Sequence, residues 1–589
     1  MAELVSQPTS IQSIYTWFRS NKLFVNRRYQ RKLVWTLEEK QKLVDSIVNQ
    51  YPIPAILIAE RESEPGTYEI IDGLQRLHAI VSFIETAFPT TNGSYFNLDF
   101  FPTAKSLSED GTFSATDGLE KLQSKDVSTV LDYSLALSVM RNATESQIND
   151  VFDRINTYGH RLSDQERRQA GVQNAFSNSV REISCAIRGD VSDDVLPLSD
   201  MPSISVDLPM SKHGYEVKAE EVFWVKQGIL RATDLRDSMD EQCVADIISC
   251  IVGGSLIPRT KDALDNIYDV KHTESDRILS AIEVYGKDKI EAEFKYCIDQ
   301  ISCICDTSGT KKLRDIIYKN RSTNPFQSLF ATIFIAIHEL FMKENKVINN
   351  HLNLKDSIEN IAEKIDQGRS AGTIQERRKN IDMVKGLISS HFIDEVDKKH
   401  IYGAHSTIDI ESAIRRSEIE LAHYELKQGI VSLSAKREID KVALDKILKT
   451  ICAIANNGPS HIGKILIGVT DKPSDADRVK ILDGVEPSAI GSRYVVGVNR
   501  EAHALGITVE DYFANLKHAI GNSPLSEQLC KSVLSNIDYN SFHGLGLITI
   551  VIPMQQELSY FGDDVYWRDA DSTEKAVTAK EVAAIAKRF

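Results

Sequence analysis

The sequence predicts a multidomain α+β protein with three parts: a mixed α+β domain, an all-α middle region and an α/β domain. Three observations predict it. A chain of 589 residues is too long for one core at roughly 100–200 residues per domain. Strand-like runs alternate with helical patterns near the N-terminus, whereas residues 216–391 carry helical spacing almost throughout, in stripes such as Ile247, Ile248, Ile251 and Leu329, Ile333, Ile337. After residue 415 the strand-like apolar runs return. The boundaries read as 1–200, 201–396, a polar linker at 397–414, and 415–589.

Composition narrows the class. With 42% hydrophobic and 26% charged residues the chain reads as soluble and globular. Its eight cysteines form no C-x-x-C pair, and only Cys303 and Cys305 lie close together. That pattern suits reduced thiols in a cytoplasm rather than a disulfide frame or structural zinc. Met1–Ser10 has neither the basic region nor the apolar core of a secretion signal. Leu329–Ile337 is about half of the ~18–20 residues a membrane helix needs. A net charge of −15 argues against a protein coated in nucleic acid, but leaves room for a local basic groove.

In order, the first domain reads as a basic loop (Asn26–Lys32), a helix (Leu37–Asn49), a strand (Ile53–Ala59) and a turn at Glu64-Pro65-Gly66. Glu69–Arg76, E-I-I-D-G-L-Q-R, then breaks an apolar run at an Asp-Gly turn. A helix follows with Leu77, Ile80, Val81 and Ile84 on one face. The junction sets Asp72, Gln75 and Arg76 at a helix N-terminus, where free backbone N–H groups favour anions, so the pattern suits a phosphate-bearing ligand. The plainer alternative is that Asp72 caps the helix and Arg76 is a surface charge. A polar loop from Phe88 to about Thr116 leads to helices near Glu145–Asn156 and Ser163–Ser177.

Four ordered blocks carry a resemblance: Arg28-Tyr29-Gln30-Arg31 with Trp35 and Asp45-Ser46-Ile47; Tyr51-Pro52-Ile53-Pro54; the Asp72–Arg76 motif; and Phe152-Asp153-Arg154-Ile155-Asn156-Thr157 with Gly159, Leu162, Ser163 and Glu166. Together, over roughly residues 10–235, they resemble the ParB-like N-terminal domain of GmrSD-type modification-dependent restriction systems and related phage-defence proteins. The resemblance implies a module that binds and hydrolyses a nucleoside triphosphate and regulates an attached nuclease. Asp72, Gln75 and Arg76 would form its centre, with Arg31, Arg154 and Asn156 as further nucleotide contacts. Arginines would neutralise phosphate charge, and Asp72 would hold magnesium or polarise water. Leu74 and Tyr158 replace the Gln and Gly usual in that family, and Leu74 cannot orient water. An Arg154–Glu166 pair joining two helices is the structural alternative.

In the last part, Ile419–Val431 reads as a strand region, Asp440–Ala455 as a helix stopped by Asn456-Asn457-Gly458, and Lys464–Thr470 and Gly546–Pro553 as strands. Tyr566–Asp569 reads as a short strand and Thr578–Lys587 as a closing helix. Glu425 and Lys427 share one strand face, since side chains alternate. Glu420 lies nearby, and Asp471 ends the next strand. Carboxylates beside a lysine suit a metal-dependent nuclease, and an exposed strand edge is the plain alternative. Glu420-x4-Glu425-Leu426-Lys427, the Ala455–Gly458 stop, Ile465–Asp471 and Tyr566-Trp567-Arg568 with Ser572-Thr573 resemble the AlbA-like domain of Schlafen proteins, over about 415–585. Some members of that family are regarded as DNA-binding modules, and others are divalent-metal nucleases acting on structured RNA. The resemblance implies Mg²⁺ or Mn²⁺ on Glu420, Glu425 and Asp471. Gly458–Lys464 imitates a P-loop, but Ile465 stands where Ser or Thr would hold Mg²⁺, and helix precedes strand, the reverse of the P-loop order.

The expectation is a cytoplasmic prokaryotic anti-phage protein, a homo-oligomer without a membrane segment, whose nucleotide-binding domain controls a nuclease acting on phage DNA or on RNA such as tRNA. Arg415, Arg416, Lys436, Arg437 and Arg568 are the nucleic-acid candidates; Lys311, Lys312, Arg314, Lys319 and Arg321 form a second patch whose plainer reading is a solvated helix surface. The alternative is a non-catalytic regulator that grips DNA through the AlbA-like domain.

Overall fold

The computed structural model describes residues 3–27, 32–33, 35–62, 64–116, 120–144, 147–148, 150–152, 154, 163–169, 172–190, 195–205, 216–320, 323–365, 368–394, 407–418, 422–459, 462–542 and 545–589. It divides into two compact units, residues 1–398 and 399–589. The expected first and second domains therefore share one unit.

The first unit is built on a mixed sheet of β1 (Glu3–Ser10), β2 (Leu23–Asn26), β3 (Ile56–Glu60), β4 (Tyr68–Asp72), β5 (Ser134–Arg141) and β6 (Val195–Pro197), in the order β1-β5-β3-β4-β2-β6. Strand alternation divides its apolar residues. Ile56, Ile58 and Ile70 join the core made with α1 (Ile11–Arg19), α2 (Leu37–Val48) and α3 (Leu74–Ile84). Leu57, Ala59 and Ile71 form a second cluster with Met140 and Phe152. Thr36 and Glu39 close a capping box that starts α2. The strand expected from Ile53 starts at Ile56, because Pro52 and Pro54 have no N–H for a ladder. The single helix expected at Ser163–Ser177 is two, Asp164–Gln169 and Ala175–Arg188, the second capped by Asn174.

The middle region is mainly helical, led by Met239–Val252, Lys287–Asp306, Gln327–His338 and Ile374–Ile388. It is not all helix, however. Ser203–Ser205 pairs in parallel with Glu216–Lys218, and Lys346–Ile348 pairs antiparallel with Phe392–Asp394. These three-residue strands are too short to leave a periodic signal.

In the second unit a four-stranded sheet runs Tyr424–Lys427, Gly463–Ile467, Leu545–Ile552, Ile537–Phe542. Ile465, Ile467, Ile548 and Ile550 pack with the helix Lys441–Ala455. Leu466, Leu547 and Phe542 pack on the other side with Ile410, Ala413 and Ile414 of the helix Thr407–Arg416. That helix corrects the linker assigned to 397–414: its polar composition hides an apolar stripe at three- and four-residue spacing. Residues 397–406 lie outside the described residues.

One buried acid gives the first unit a pH dependence. Glu85, the residue that ends α3, accepts from the Tyr15 hydroxyl at 2.9 Å and pairs with Arg19 at 2.9 Å. Burial outweighs both partners and pushes its carboxyl up to about 7. The folded state therefore holds this proton more tightly than the unfolded chain. The resulting stability is fully present below the ordinary glutamate value and is lost as pH rises through about 7. The full effect is on the order of 3 kcal/mol. Glu85→Gln is expected to shrink the fall in melting temperature between pH 5 and pH 8, as read by thermal melts at both pH values. An unchanged fall would place the titration elsewhere.

Candidate functional site

At the end of β4 the chain turns through Gly73, whose φ of +99° is in the left-handed region. A Cβ there would come within 2.9 Å of the Ile56 side chain, so glycine is required both by φ and by space. Helix α3 starts at Leu74, and Gly73 supplies no side-chain cap. The plainer alternative, in which Asp72 caps the helix, is thus not what the structure has. Asp72 Oδ2 instead accepts from Arg76 Nη2 at 2.6 Å, while Arg76 Nη1 donates to the Pro54 carbonyl at 2.9 Å. Arg76 is largely buried, and Asp72 keeps 44% of its side chain exposed. Arg76 is therefore a brace between the turn and the Pro54 loop rather than a surface charge. Leu74 is buried in the core behind the turn, which explains why an apolar residue serves at this position.

Gln75 has a role that its spacing did not foretell. Its Nε2 donates to the Lys32 carbonyl at 2.6 Å, and its Oε1 accepts from the Trp35 N–H at 3.3 Å. The amide thus clamps the end of the basic loop. Arg31 and Asn156 lie outside the described residues, as do most of the Arg28–Arg31 and Phe152–Thr157 blocks. Arg154 pairs with Asp150 one turn back at 3.0 Å. Glu166 accepts from the Ser163 N–H at 2.9 Å as part of a helix start, so the alternative of an Arg154–Glu166 pair gives way to local contacts.

In the second unit Tyr424–Lys427 is an edge strand, parallel to Gly463–Ile467, with Glu425 opposite Ile465 and Lys427 opposite Ile467. Glu425 and Lys427 share a face as expected. They are not exposed edge charges. Glu425 Oε1 accepts from Lys427 Nζ, and its Oε2 accepts from Arg568 Nη1 at 2.9 Å. Arg568 is 1% exposed and also donates to Thr573 Oγ1 at 3.0 Å and the Tyr424 carbonyl at 3.3 Å. Among the described residues Glu425 thus lies between two cations. Asp471 is half exposed and faces Arg493 Nη1 at 3.6 Å. Glu420 lies outside the described residues, and among the described residues no three His, Cys, Asp or Glu could hold a metal ion. With both Glu425 oxygens on cations, the described part of the expected set does not fit a divalent ion in this arrangement.

Several nucleic-acid candidates also have internal partners. Arg415 pairs with Glu411 at 2.8 Å and Arg437 with Asp483 at 2.7 Å. Arg416 lies 6.0 Å from the Tyr424 ring, and Lys436 is exposed. In the second patch Arg314 donates to the Gly228 and Asn324 carbonyls, which makes it a structural clamp; Arg321 lies outside the described residues. The P-loop imitation joins a helix to a strand, as its order required, and His461 within it is outside the described residues.

Sequence reasoning missed Lys32, and it missed Glu501. Buried Glu501 accepts from the Ile430 and Val431 N–H groups at 2.8 and 3.1 Å and from the Tyr512 hydroxyl at 2.6 Å, fixing the chain just past Lys427. Burial pushes its carboxyl up. A lone acid in N-R-E-A-H-A-L carries no signal of that role.

Residues 14–172 match the model of the GmrSD restriction endonuclease N-terminal domain. No curated protein and no solved structure matches the chain. The GmrSD match lies entirely within the first unit and says nothing of the second.

Proposed function

We propose that this is a restriction-type phage-defence protein in which the Asp72–Arg76 turn binds a nucleoside triphosphate and thereby controls a second unit that acts on nucleic acid. The GmrSD match over residues 14–172 is the observation that carries this reading. The turn supports it. A helix start offers N–H groups to phosphate, Arg76 sits in its first turn, and half-exposed Asp72 would hold the magnesium ion that carries the phosphates. Arg31, Arg154 and Asn156 would extend the contacts from the basic loop and the second block. In Arg76→Ala the brace to Pro54 and Asp72 is gone, and nucleotide affinity is expected to fall by about 100-fold or more with the fold retained, since charge-assisted phosphate contacts are among the strongest. Titration with ATP, GTP, CTP and UTP in Mg²⁺ reads this; undiminished binding would move the ligand site elsewhere.

For the second unit one reading is a nuclease in which Glu420, Glu425 and Asp471 would hold Mg²⁺ or Mn²⁺ and Lys427 would serve the reaction. The observation that favours the other reading, binding without cleavage, is that both Glu425 oxygens rest on Lys427 and Arg568. Metal binding would require Glu425 to release one of them. A protein that grips a phosphate backbone needs no such rearrangement. Metal-dependent loss of labelled tRNA or DNA, abolished by Glu425→Gln, supports the nuclease; no cleavage with either metal under any nucleotide condition supports the binder.

A further inference from the structure

Two buried cations bracket the basic loop. Arg27 Nη2 pairs with Asp190 Oδ2 at 2.9 Å, and Lys32 Nζ donates to the Leu235 carbonyl at 2.7 Å and to Ser238 Oγ at 2.8 Å. Lys32 Nζ also lies 3.9 Å from Glu241 Oε1. Arg188, with no exposed side chain, joins the two ends: its Nε pairs with Asp190 at 3.1 Å and its Nη1 with Asp240 at 2.5 Å and Glu241 at 3.1 Å. Among the described residues, Arg27, Lys32 and Arg188 thus meet Asp190, Asp240 and Glu241 in one buried network. Asp240 and Glu241 open the helix Met239–Val252. At the other end the network reaches the ligand turn, because the amide that holds the Lys32 carbonyl belongs to Gln75, the neighbour of Arg76.

We propose that Lys32 and Glu241 are positioning residues that fix the chain beside Gln75 and Arg76, and that through them ligand binding at the turn is coupled to the helix Met239–Val252. The inference rests on the nucleotide-binding reading of that turn. Its physical basis is the cost of leaving a buried charge unpaired. Lys32 cannot shift with the loop unless its acceptors on residues 235–241 shift too, so the two ends of the network move together. Coupling of this kind is reciprocal: whatever the helix does to nucleotide affinity, nucleotide does to the helix. In the same unit Arg236 pairs with Glu39 of the α2 capping box at 2.9 Å, a second tie between the segment after the loop and the helical layer.

The test is hydrogen exchange on the full chain with and without ATP, GTP, CTP or UTP in Mg²⁺, beside nucleotide titrations of Lys32→Met and Lys32→Arg. The expected result is slower exchange in residues 239–252 as well as at the turn when the bound nucleotide is present. Lys32→Met is expected to weaken binding by about tenfold, with Lys32→Arg restoring most of it, within the usual range of coupling between sites. The inference is overturned if a nucleotide binds the wild type while exchange in 239–252 stays unchanged and Lys32→Met binds it equally well. If Lys32→Met fails to fold, the wild-type exchange result alone decides. Binding of none of the four nucleotides to the wild type overturns the nucleotide reading itself, and the coupling with it.

Discussion

Arg188→Met is expected to destabilise the first unit by about 3–5 kcal/mol, the usual cost of removing one partner from a buried ion network. Arg188 touches Asp190, Asp240 and Glu241 at 2.5–3.1 Å, and all four side chains are almost fully buried. A methionine fills much of the volume but takes from Asp190, Asp240 and Glu241 the guanidinium they share. Against total stabilities of roughly 5–15 kcal/mol, a loss of that size removes a large fraction of the margin. Urea melts followed by circular dichroism read it as a lower midpoint with the slope retained. A change below about 1 kcal/mol, the level of an exposed pair, would mean that water reaches the network.

Glu425→Ala should have a comparable effect on the stability of the second unit. Removing the carboxylate takes from Arg568, 1% exposed, the countercharge it holds at 2.9 Å. The expected cost is about 3 kcal/mol. Glu425→Gln keeps an acceptor for one cation and loses the charge, so it is the milder structural change. The two variants together separate the roles of Glu425. As a metal ligand, Glu425→Gln abolishes cleavage and raises the Mg²⁺ requirement while melting close to wild type. As a countercharge, both variants lose stability in proportion to the charge removed, and nucleic-acid binding survives in Glu425→Gln. Equal melting of all three proteins would contradict the buried ion triad.

Much of the first unit was legible because its signals are local. The Asp-Gly break, the apolar face of α3 and the helix α2 each lie within a few residues of sequence signal, and the structure has them near the expected places. What the sequence could not show was the direction of a side chain across the fold. Gln75 reads as a ligand contact and proves to be a clamp on chain more than 40 residues away. Arg27 and Lys32 read as loop charges and find acids more than 160 and 200 residues further on. The C-terminal E-x-K had the same fate. Alternation placed Glu425 and Lys427 on one face, but only the fold could bring Arg568 onto Glu425. The helix Thr407–Arg416 was hidden by polar residues around Ile410, Ala413 and Ile414, a stripe too narrow to outweigh its surroundings.

The claim that a nucleotide-binding first unit governs a nucleic-acid-acting second unit is tested most directly by one assay. Labelled tRNA and phage DNA are incubated with wild type and with Arg76→Ala in Mg²⁺ or Mn²⁺, with and without each of the four nucleoside triphosphates, and cleavage and binding are measured together. The account predicts that at least one nucleotide changes the wild-type activity and that Arg76→Ala no longer responds to it, although its second unit still engages the substrate. Identical activity of the two proteins under every nucleotide condition would contradict it.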